Sequence, residues 1–362
     1  MWDVVVVGAG PGGSLAAKKF VEQGLKTLIV EKKKLPRDKV CSGMVAGPWA
    51  RDAIQIEFGE IPQEILAPPR YLSGQMFHVP GISAQALKWR TLLSWRKDLD
   101  FWLSSKALEK GADLWDGVSV VGVSCGEGRC TVRLEKGRKQ ENITTNYVVG
   151  ADGAGSVVRK SLFPELKVNY AVPIRECYEG PLDMDPFYLH WFFPRSRPRP
   201  RFNVNFKGDA VLVEGSGLKE LQGEISRVLA PHGWDPGCKP LWRDGCMVPQ
   251  LHKALISNAF RPARGNALLI GDAAGLLFPI TFEGIGTAFK SSRFAVDAIL
   301  EAAPSGREAA PIYLRKLKPV IDLIQQFCLL DSGLEKAADS GPENLCKALT
   351  SGYEATLRTG AF

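Results

Sequence analysis

Residues 3–31, DVVVVGAGPGGSLAAKKFVEQGLKTLIVE, constrain the fold more than any other stretch of the chain. Val4–Val7 is a continuous β-branched run, short enough for a strand buried on both faces of a parallel sheet. Gly8, Gly10 and Gly13 follow at G-x-G-x-x-G spacing, with Gly12 among them, and Ser14 to Gln23 reads as a helix. A second apolar strand, Thr27–Val30, ends in Glu31, about 20 residues past the glycines. In such a unit Gly8 makes the tight turn, Gly10 lets backbone approach a pyrophosphate, and Gly13 lets helix and strand pack closely. The helix N-terminus offers free N–H groups and partial positive charge to the phosphates. Glu31 can accept both hydrogen bonds of an adenosine ribose. The unit predicts a bound dinucleotide and leaves open whether it is FAD or a nicotinamide.

At 362 residues the chain can bury a large core and form one or two closely joined domains. A hydrophobic content of 45% and a charged content of 23% are ordinary for a soluble globular protein. No apolar run reaches the ~18 residues of a membrane span, so no transmembrane helix is expected. Residue 2 leads straight into a core strand, with no basic region before an apolar segment, so no secretory signal is expected. The eight cysteines lack metal-ligand spacing. Reduced thiols in a cytoplasm, and no metal, are the expectation. The net charge of +7 permits attraction to anionic lipid or phosphate without calling for a nucleic acid.

After Glu31, KKKLPRDKVCSGM forms a basic loop that includes Lys32 and Arg37, then Cys41-Ser42-Gly43. Residues 54–89 show no helical period and read as loops and strands of a second layer. Arg96 to Gly111 is an amphipathic helix closed by its glycine. Leu114–Val123 and Cys130–Leu134 read as strands around Gly126-Glu127-Gly128, a hairpin or meander. Tyr147–Val149 is another buried strand, entering the turn Gly150-Ala151-Asp152-Gly153. From about Leu162 to Val248, short strands, prolines and aromatics replace the strand–helix rhythm and predict a separate antiparallel sheet. Within it, Arg195, Arg197, Arg199 and Arg201 alternate with prolines, which favours an extended loop displaying the arginines. The loop is a solvated surface or a contact for an anionic membrane. The strand–turn–helix rhythm returns at Ala267–Ile270, Gly271-Asp272 and a helix from Gly284 to Ile299. Pro319 is expected to interrupt or start the last long helix.

Gly8–Gly13 with Glu31, Asp152-Gly153 and Gly271-Asp272 stand in a fixed order. Together they resemble the glutathione-reductase-type FAD fold, in the branch of p-hydroxybenzoate hydroxylase, flavin halogenases and geranylgeranyl reductases. Gly150-Ala-Asp152-Gly153-Ala-Gly-Ser156-Val-Val-Arg159 is similar to the branch's D-G motif. Ala267–Asp272, with Ala274 and Gly275, is similar to its G-D motif. Arg96 with Leu99-Asp100 looks like its R-x-x-F-D segment, with leucine for phenylalanine. The turn Gly284-Ile285-Gly286, approached by Pro279, would put N–H donors and dipole beside flavin N1 and C2=O. This favours FAD, and no second G-x-G-x-x-G unit exists for a nicotinamide. The implied fold is α/β, a glutathione-reductase-type Rossmann FAD domain with an inserted antiparallel substrate domain and a short helical C-terminus. Expected boundaries are 1–60, 96–161 and 256–305 for FAD, 61–95 and 162–255 for substrate, and 306–362 for the helical end. The implied cofactor contacts also include Gly12, Lys32, Ser42, Gly43 and Val120.

Phe282-Glu283-Gly284-Ile285 resembles the G-E-G-I segment of geranylgeranyl reductases, with Phe282 for glycine. Cys41-Ser-Gly is similar to their C-x-G. Tyr188 to Pro194 resembles Y-x-W-x-F-P with one extra residue. The resemblance implies hydride transfer from reduced flavin to a carbon–carbon double bond of an isoprenoid or similarly apolar substrate. Tyr188, Trp191, Phe193 and Pro194 would line the substrate, and Cys41, Tyr188, His190 and Glu283 are the candidate catalytic groups. The electron donor is NADPH, ferredoxin or similar. A class A monooxygenase or halogenase-like enzyme and a flavin electron carrier are the alternatives. A cytoplasmic protein, with the Arg195–Arg201 loop as a peripheral membrane contact, is the expectation.

Overall fold

The structure, a computed structural model, describes every residue except Glu127 and Pro181. In chain order, β1 (Trp2–Val7), α1 (Pro11–Glu22) and β2 (Thr27–Glu31) form the opening unit. They are followed by β3 (Met44–Val45), α2 (Ala53–Phe58), β4 (Leu66–His78), β5 (Gln85–Ser94) and α3 (Arg96–Glu109). Next come β6 (Asp113–Asp116), β7 (Ser119–Gly126), β8 (Arg129–Lys136), β9 (Lys139–Gly150) and α4 (Val157–Leu162). The central region contributes β10 (Tyr170–Ala171), β11 (Ile174–Glu179), β12 (Tyr188–Phe192), β13 (Phe202–Lys207), β14 (Ala210–Gly215) and α5 (Gln222–Leu229). It closes with β15 (Trp242–Gly245), β16 (Val248–Pro249), α6 (His252–Ile256), β17 (Ala263–Arg264) and β18 (Ala267–Leu269). The chain ends in α7 (Ile285–Ala302), α8 (Ala309–Asp339) and α9 (Pro342–Leu357).

Val4–Val7 and Thr27–Val30 pair in parallel and are buried on both faces, as their unbroken apolar runs require. The parallel core runs β18-β9-β1-β2-β6. β9 serves two ladders. Residues 139–145 pair antiparallel with β8, and residues 145–150 pair parallel with β1. The expected hairpin at Cys125 and Cys130 is present as β7-β8, although Glu127 of its turn lies outside the described residues. The two cysteines face each other across it and are joined in a disulfide, correcting the expectation that all thiols are reduced. The remaining cysteines are free.

The second sheet has the order β15-β11-β14-β13-β12-β4-β5-β3. It is antiparallel except at β12/β4, where the two chain segments that build it meet in parallel. β3, at 44–45, lies in this sheet although the stretch 1–60 was assigned to the FAD domain. α2 was not anticipated; its residues Ala53, Ile54 and Phe58 pack against Leu99, Leu103 and Phe289. α8 runs unbroken through Pro319. The missing N–H leaves one carbonyl unpaired in the ladder, while Leu317, Val320, Ile324 and Phe327 keep the face buried. Tertiary packing outweighs the local cost. No helix among the described residues is long and apolar enough to cross a membrane.

Candidate FAD site and its cavity

The glycines of the opening turn divide their work as the sequence suggests. Gly8 has φ +104°, and a Cβ there would stand 2.5 Å from the Ala151 carbonyl oxygen. A Cβ on Gly13 would stand 2.0 Å from the Gly8 carbonyl oxygen, so Gly13 is a packing residue and does not line the cavity. A Cβ on Gly10 would meet only the Arg37 guanidinium, at 3.7 Å. The room in front of Gly10 is therefore open, and it belongs to a continuous cavity of about 2000 Å³. That exceeds the ~300–1,000 Å³ of a single small-ligand site.

Glu31 stands at this end. Its Oε2 accepts the Ala9 N–H at 3.0 Å and Oε1 accepts the Lys33 N–H at 3.0 Å. Arg37 Nε lies 3.2 Å from Oε2, so the carboxylate keeps acceptor capacity mainly on Oε1 rather than on both oxygens. Arg37 also donates to Asp100 at 3.0 Å, and Asp100 takes a bidentate pair from Arg96 at 2.7 and 2.9 Å. Cys41 also acts on the Arg96 guanidinium and, after Asp100, favours its charged form. One chain of charges thus ties the ribose acid to the Cys41 loop. Arg37 is far from a merely solvated lysine-loop residue.

Lys32, Cys41, Ser42, Arg96 and Val120 all line the cavity. Gly43 does not. It has φ +71°, and a Cβ on it would stand 1.9 Å from the Ser94 carbonyl oxygen, so it docks the Cys41 loop onto β5. Asp152 and Gly153 line the cavity, but the Asp152 carboxylate is spent on local structure. It accepts from Ser156 Oγ at 2.6 Å and from the Val157 and Val158 N–H groups at 2.6 and 3.1 Å, capping α4. Burial pushes that carboxyl up, and these bonds oppose the shift. Arg159 joins the two later motifs: it donates to the Ala273 carbonyl at 2.8 Å, to Tyr170 Oη at 3.0 Å, and to the Ala154 carbonyl.

Gly271, Asp272 and Pro279 line the cavity; Ala274 and Gly275 lie behind it. Gly275, with φ +73°, makes room for Leu251. Gly284 and Ile285 also line it, at the start of α7. A Cβ on Gly284 would stand 3.0 Å from Asp272 Oδ1. Gly286 does not reach the cavity, and its N–H donates to Glu283 Oε1 at 2.6 Å instead of facing outward. Burial pushes the Glu283 carboxyl up to about 7, against the pull of that hydrogen bond and with the push of Asp272. Glu283 is a positioning group for the helix start. Phe282, in the glycine-like position, takes φ +53° and lines the cavity.

The cradle fits FAD: an open face at Gly10, the acid Glu31, the carboxylate of Asp272 and the α7 start stand along one cavity. A model of pyridine nucleotide-disulphide oxidoreductases matches residues 2–175. The chain is an FAD-dependent oxidoreductase. It is 29% identical over 336 residues to digeranylgeranylglycerophospholipid reductase 1 of Methanopyrus kandleri, covering 83% of this chain and 81% of that protein. It is 26% identical over 341 residues to the digeranylgeranylglycerophospholipid reductase of Thermoplasma acidophilum, covering 88% and 83%. In structure it superposes on a geranylgeranyl bacteriochlorophyll reductase-like protein from the same organism with TM-score 0.78, at 20% identity, over 99% of this chain and 95% of that one.

Beyond the Rossmann half, this FAD-dependent oxidoreductase presents one face of its second sheet to the cavity, and the alternation of β12 decides which. Leu189 and Trp191 line it. Tyr188 and His190 point the other way and do not, which removes both from the catalytic candidates. His190 bonds His78 at 3.1 Å and the Asp185 carbonyl at 2.9 Å, and burial pushes both imidazoles down, His78 to about 4. Phe193 and Pro194 are also off the cavity. Phe193 packs with Phe77 among residues of α9. Of the expected substrate residues Trp191 alone remains, its indole N–H donating to Gln75 at 2.9 Å.

The same face carries polar residues: Arg175, Asn203 and Glu214, which the sequence did not flag, and Arg201, expected on the surface loop, line the cavity. Arg175 pairs with Asp244 at 2.6 Å and donates to the Cys41 carbonyl at 3.0 Å. Burial pushes the Glu214 carboxyl up, against Lys207 and Arg175. Burial also pulls the Lys207 ammonium down to about 8, against Glu214 and Cys41. The Arg195–Arg201 segment turns tightly instead of extending. Arg195, Arg197 and Arg199 bond Glu224, Asp339 and Asp331 at 2.9, 2.6 and 2.7 Å, so these cations already have partners on α5 and α8.

Proposed function

We propose that the chain reduces a carbon–carbon double bond in a long, largely apolar unsaturated substrate of isoprenoid type. The observation that carries this reading is the continuity of one cavity. It runs from Gly10 and Glu31, past Gly284 and Pro279, to Leu189, Trp191 and the α8 residues Cys328, Asp331 and Ser332. Bound FAD supplies the hydride. The chain's own task is to hold the alkene still and exclude water, and the buried faces of Leu189, Trp191 and Leu277 suit that work. The names of the Methanopyrus and Thermoplasma relatives favour the same substrate class.

Two side chains on the cavity wall can hand over the second hydrogen as a proton. Cys41 is one, its carbonyl held by Arg175. Glu214 is the other, since burial favours its protonated form. The test is anaerobic: photoreduced protein is mixed with geranylgeranyl-bearing lipids and the flavin absorbance is followed. Stoichiometric re-oxidation, with a product heavier by two hydrogens in mass spectrometry, is expected. No re-oxidation by any polyprenyl lipid, together with rapid substrate-stimulated oxygen uptake, would replace this reading with a monooxygenase. Cys41→Ser and Glu214→Gln, compared in single turnover, identify the proton donor.

A further inference from the structure

Five strands of the second sheet bring one rung of side chains toward the cavity. The register pairs Trp191 with Asn203, Asn203 with Glu214, Glu214 with Arg175, and Arg175 with Asp244. Directly paired residues share a face of the sheet, and Trp191, Asn203, Glu214 and Arg175 all line the cavity. Both ends of the rung are bonded. Trp191 donates to Gln75 at 2.9 Å, and Arg175 is bonded to Asp244 and to the Cys41 carbonyl. The middle is different: Asn203 Oδ1 and Glu214 Oε1 are buried, and each is without a partner. Lys207, four residues along β13 from Asn203, donates to the Ser94 carbonyl at 2.9 Å, and Arg201, two residues before it, donates to the Ile280 carbonyl. A buried carboxylate that no cation meets is costly, and it escapes by taking up a proton. Neutral Glu214 has one O–H to give, and Asn203 Oδ1 is a free acceptor directly across the ladder. Side chains opposed in an antiparallel pair stand ~4.5–5.5 Å apart at Cβ, within reach of these two.

We propose that Glu214 is the acid that protonates the substrate, and that Asn203 positions it by accepting its O–H at Oδ1. The inference rests on the double-bond reduction proposed above. The double bond gains hydride, with its electron pair, at one carbon from the reduced cofactor, and its own π pair binds a proton at the other. Glu214 gives that proton and becomes a carboxylate, which takes a proton back from solvent through the cavity. The charged groups around it come from three strands: Lys207 on β13 with Arg201 just ahead of it, Arg175 on β11, and Asp244 on β15. Burial and Asp244 favour the acid form, while Lys207 and Arg175 favour the carboxylate. The two cations thus support the charge that the transfer leaves behind.

The test has two arms, both on full-length, FAD-loaded protein. Infrared spectroscopy at neutral pH follows the C=O stretch of neutral carboxyl groups. A band present in wild type and missing from Glu214→Gln is expected, and it should shift in Asn203→Ala, where the O–H loses its amide acceptor. The second arm is single-turnover re-oxidation of photoreduced protein by a geranylgeranyl-bearing glycerophospholipid. Glu214→Gln should slow it about 100-fold or more. The wild-type rate falls as pH rises, because only the acid form has a proton to give. Asn203→Ala moves that fall to lower pH by about 0.4–1 pH unit. Asn203→Asp, whose negative charge disfavours a second carboxylate, moves it to higher pH. An asparagine with a structural role alone would not shift the profile in opposite directions. Flavin content reports folding; if an Asn203 variant fails to load flavin, the isosteric Glu214→Gln and the infrared band decide. If no polyprenyl lipid re-oxidises the flavin, the reduction proposed above falls, and the infrared arm still decides the acid–amide pair. Absence of a Glu214-dependent band, or a Glu214→Gln protein that turns over at the wild-type rate, overturns the inference. Asn203 variants that move neither band nor profile remove the positioning role.

Discussion

Gly10 and Gly13 differ by three positions in the same turn, yet alanine at each should damage a different property. At Gly10 the backbone has φ −83° and ψ −177°, which any residue adopts, and a new methyl would meet only Arg37 at 3.7 Å. The apoprotein should therefore tolerate Gly10→Ala, and gain about 0.4–1 kcal/mol from the stiffer unfolded chain. With bound FAD the methyl occupies cavity space that the pyrophosphate needs. Overpacking costs about 1–3 kcal/mol, which corresponds to FAD binding weakened roughly 5- to 150-fold. At Gly13 the methyl would stand 2.0 Å from the Gly8 carbonyl oxygen and 3.2 Å from Ala151 Cβ, inside the packed strand–helix contact. That costs about 3 kcal/mol or more before any cofactor is added. The assay is a urea melt of flavin-free protein, paired with a titration of FAD followed by flavin fluorescence. Gly10→Ala should melt at or slightly above wild type and bind FAD poorly; Gly13→Ala should melt well below it. A Gly10→Ala protein that binds FAD as tightly as wild type, or whose apo form is severely destabilised, would refute the division of labour described here.

Glu283 gives stability a pH signature. Its carboxyl keeps a proton up to about 7 when folded, against an ordinary value of 4.5. Its contribution is therefore full below about 4.5 and declines as pH rises through 7, by up to about 3 kcal/mol. Glu283→Gln should remove that decline, and urea midpoints of flavin-free variant and wild type that run parallel from acid to neutral pH would contradict it. Arg159→Met strips partners from the Ala273 and Ala154 carbonyls. It should cost roughly 2–4 kcal/mol in urea unfolding and release FAD, because the two later motifs lose their tie. An unchanged urea midpoint would show that the tie is redundant.

The parts of this site that could be read from the chain are those where backbone geometry admits one residue type. Gly8, Gly153, Gly271 and Gly275 all take positive φ, and each falls in one of the three motifs. The Rossmann half was legible for that reason. The substrate half was not, because alternation reports that a strand has two faces without saying which one meets the cofactor. Tyr188 and His190 alternate with Leu189 and Trp191, and the structure gives the cavity to the second pair. β13 was harder still. Asn203, Asn205 and Lys207 alternate with Phe202, Val204 and Phe206, a pattern that ordinarily means one face in water. Here both faces are buried. Its polar face is turned toward the cavity side of the sheet, where Asn203 lines the cavity, so these buried groups resemble a surface in sequence. The basic loop misled in the opposite direction: Arg195, Arg197 and Arg199 look free in one dimension and find acids on α5 and α8 in three, while Arg201 is buried.

The position of β9, between β1 and β18, also sets a schedule for the nascent chain. Val148 pairs with Val5 on one side and with Ala267 on the other. At about 5–20 residues per second, the free edge of β9 waits roughly 6–25 s on the ribosome for its last partner. FAD cannot shorten that wait. Asp272 and Ile285, which complete its site, emerge later than the strand that closes the sheet. Cofactor supply therefore acts as a late clamp on a sheet already assembled. Shortage of flavin should lower the yield of finished protein without changing how the strands find each other. Protection of that exposed edge falls to chaperones and to the β7-β8 hairpin folded beside it.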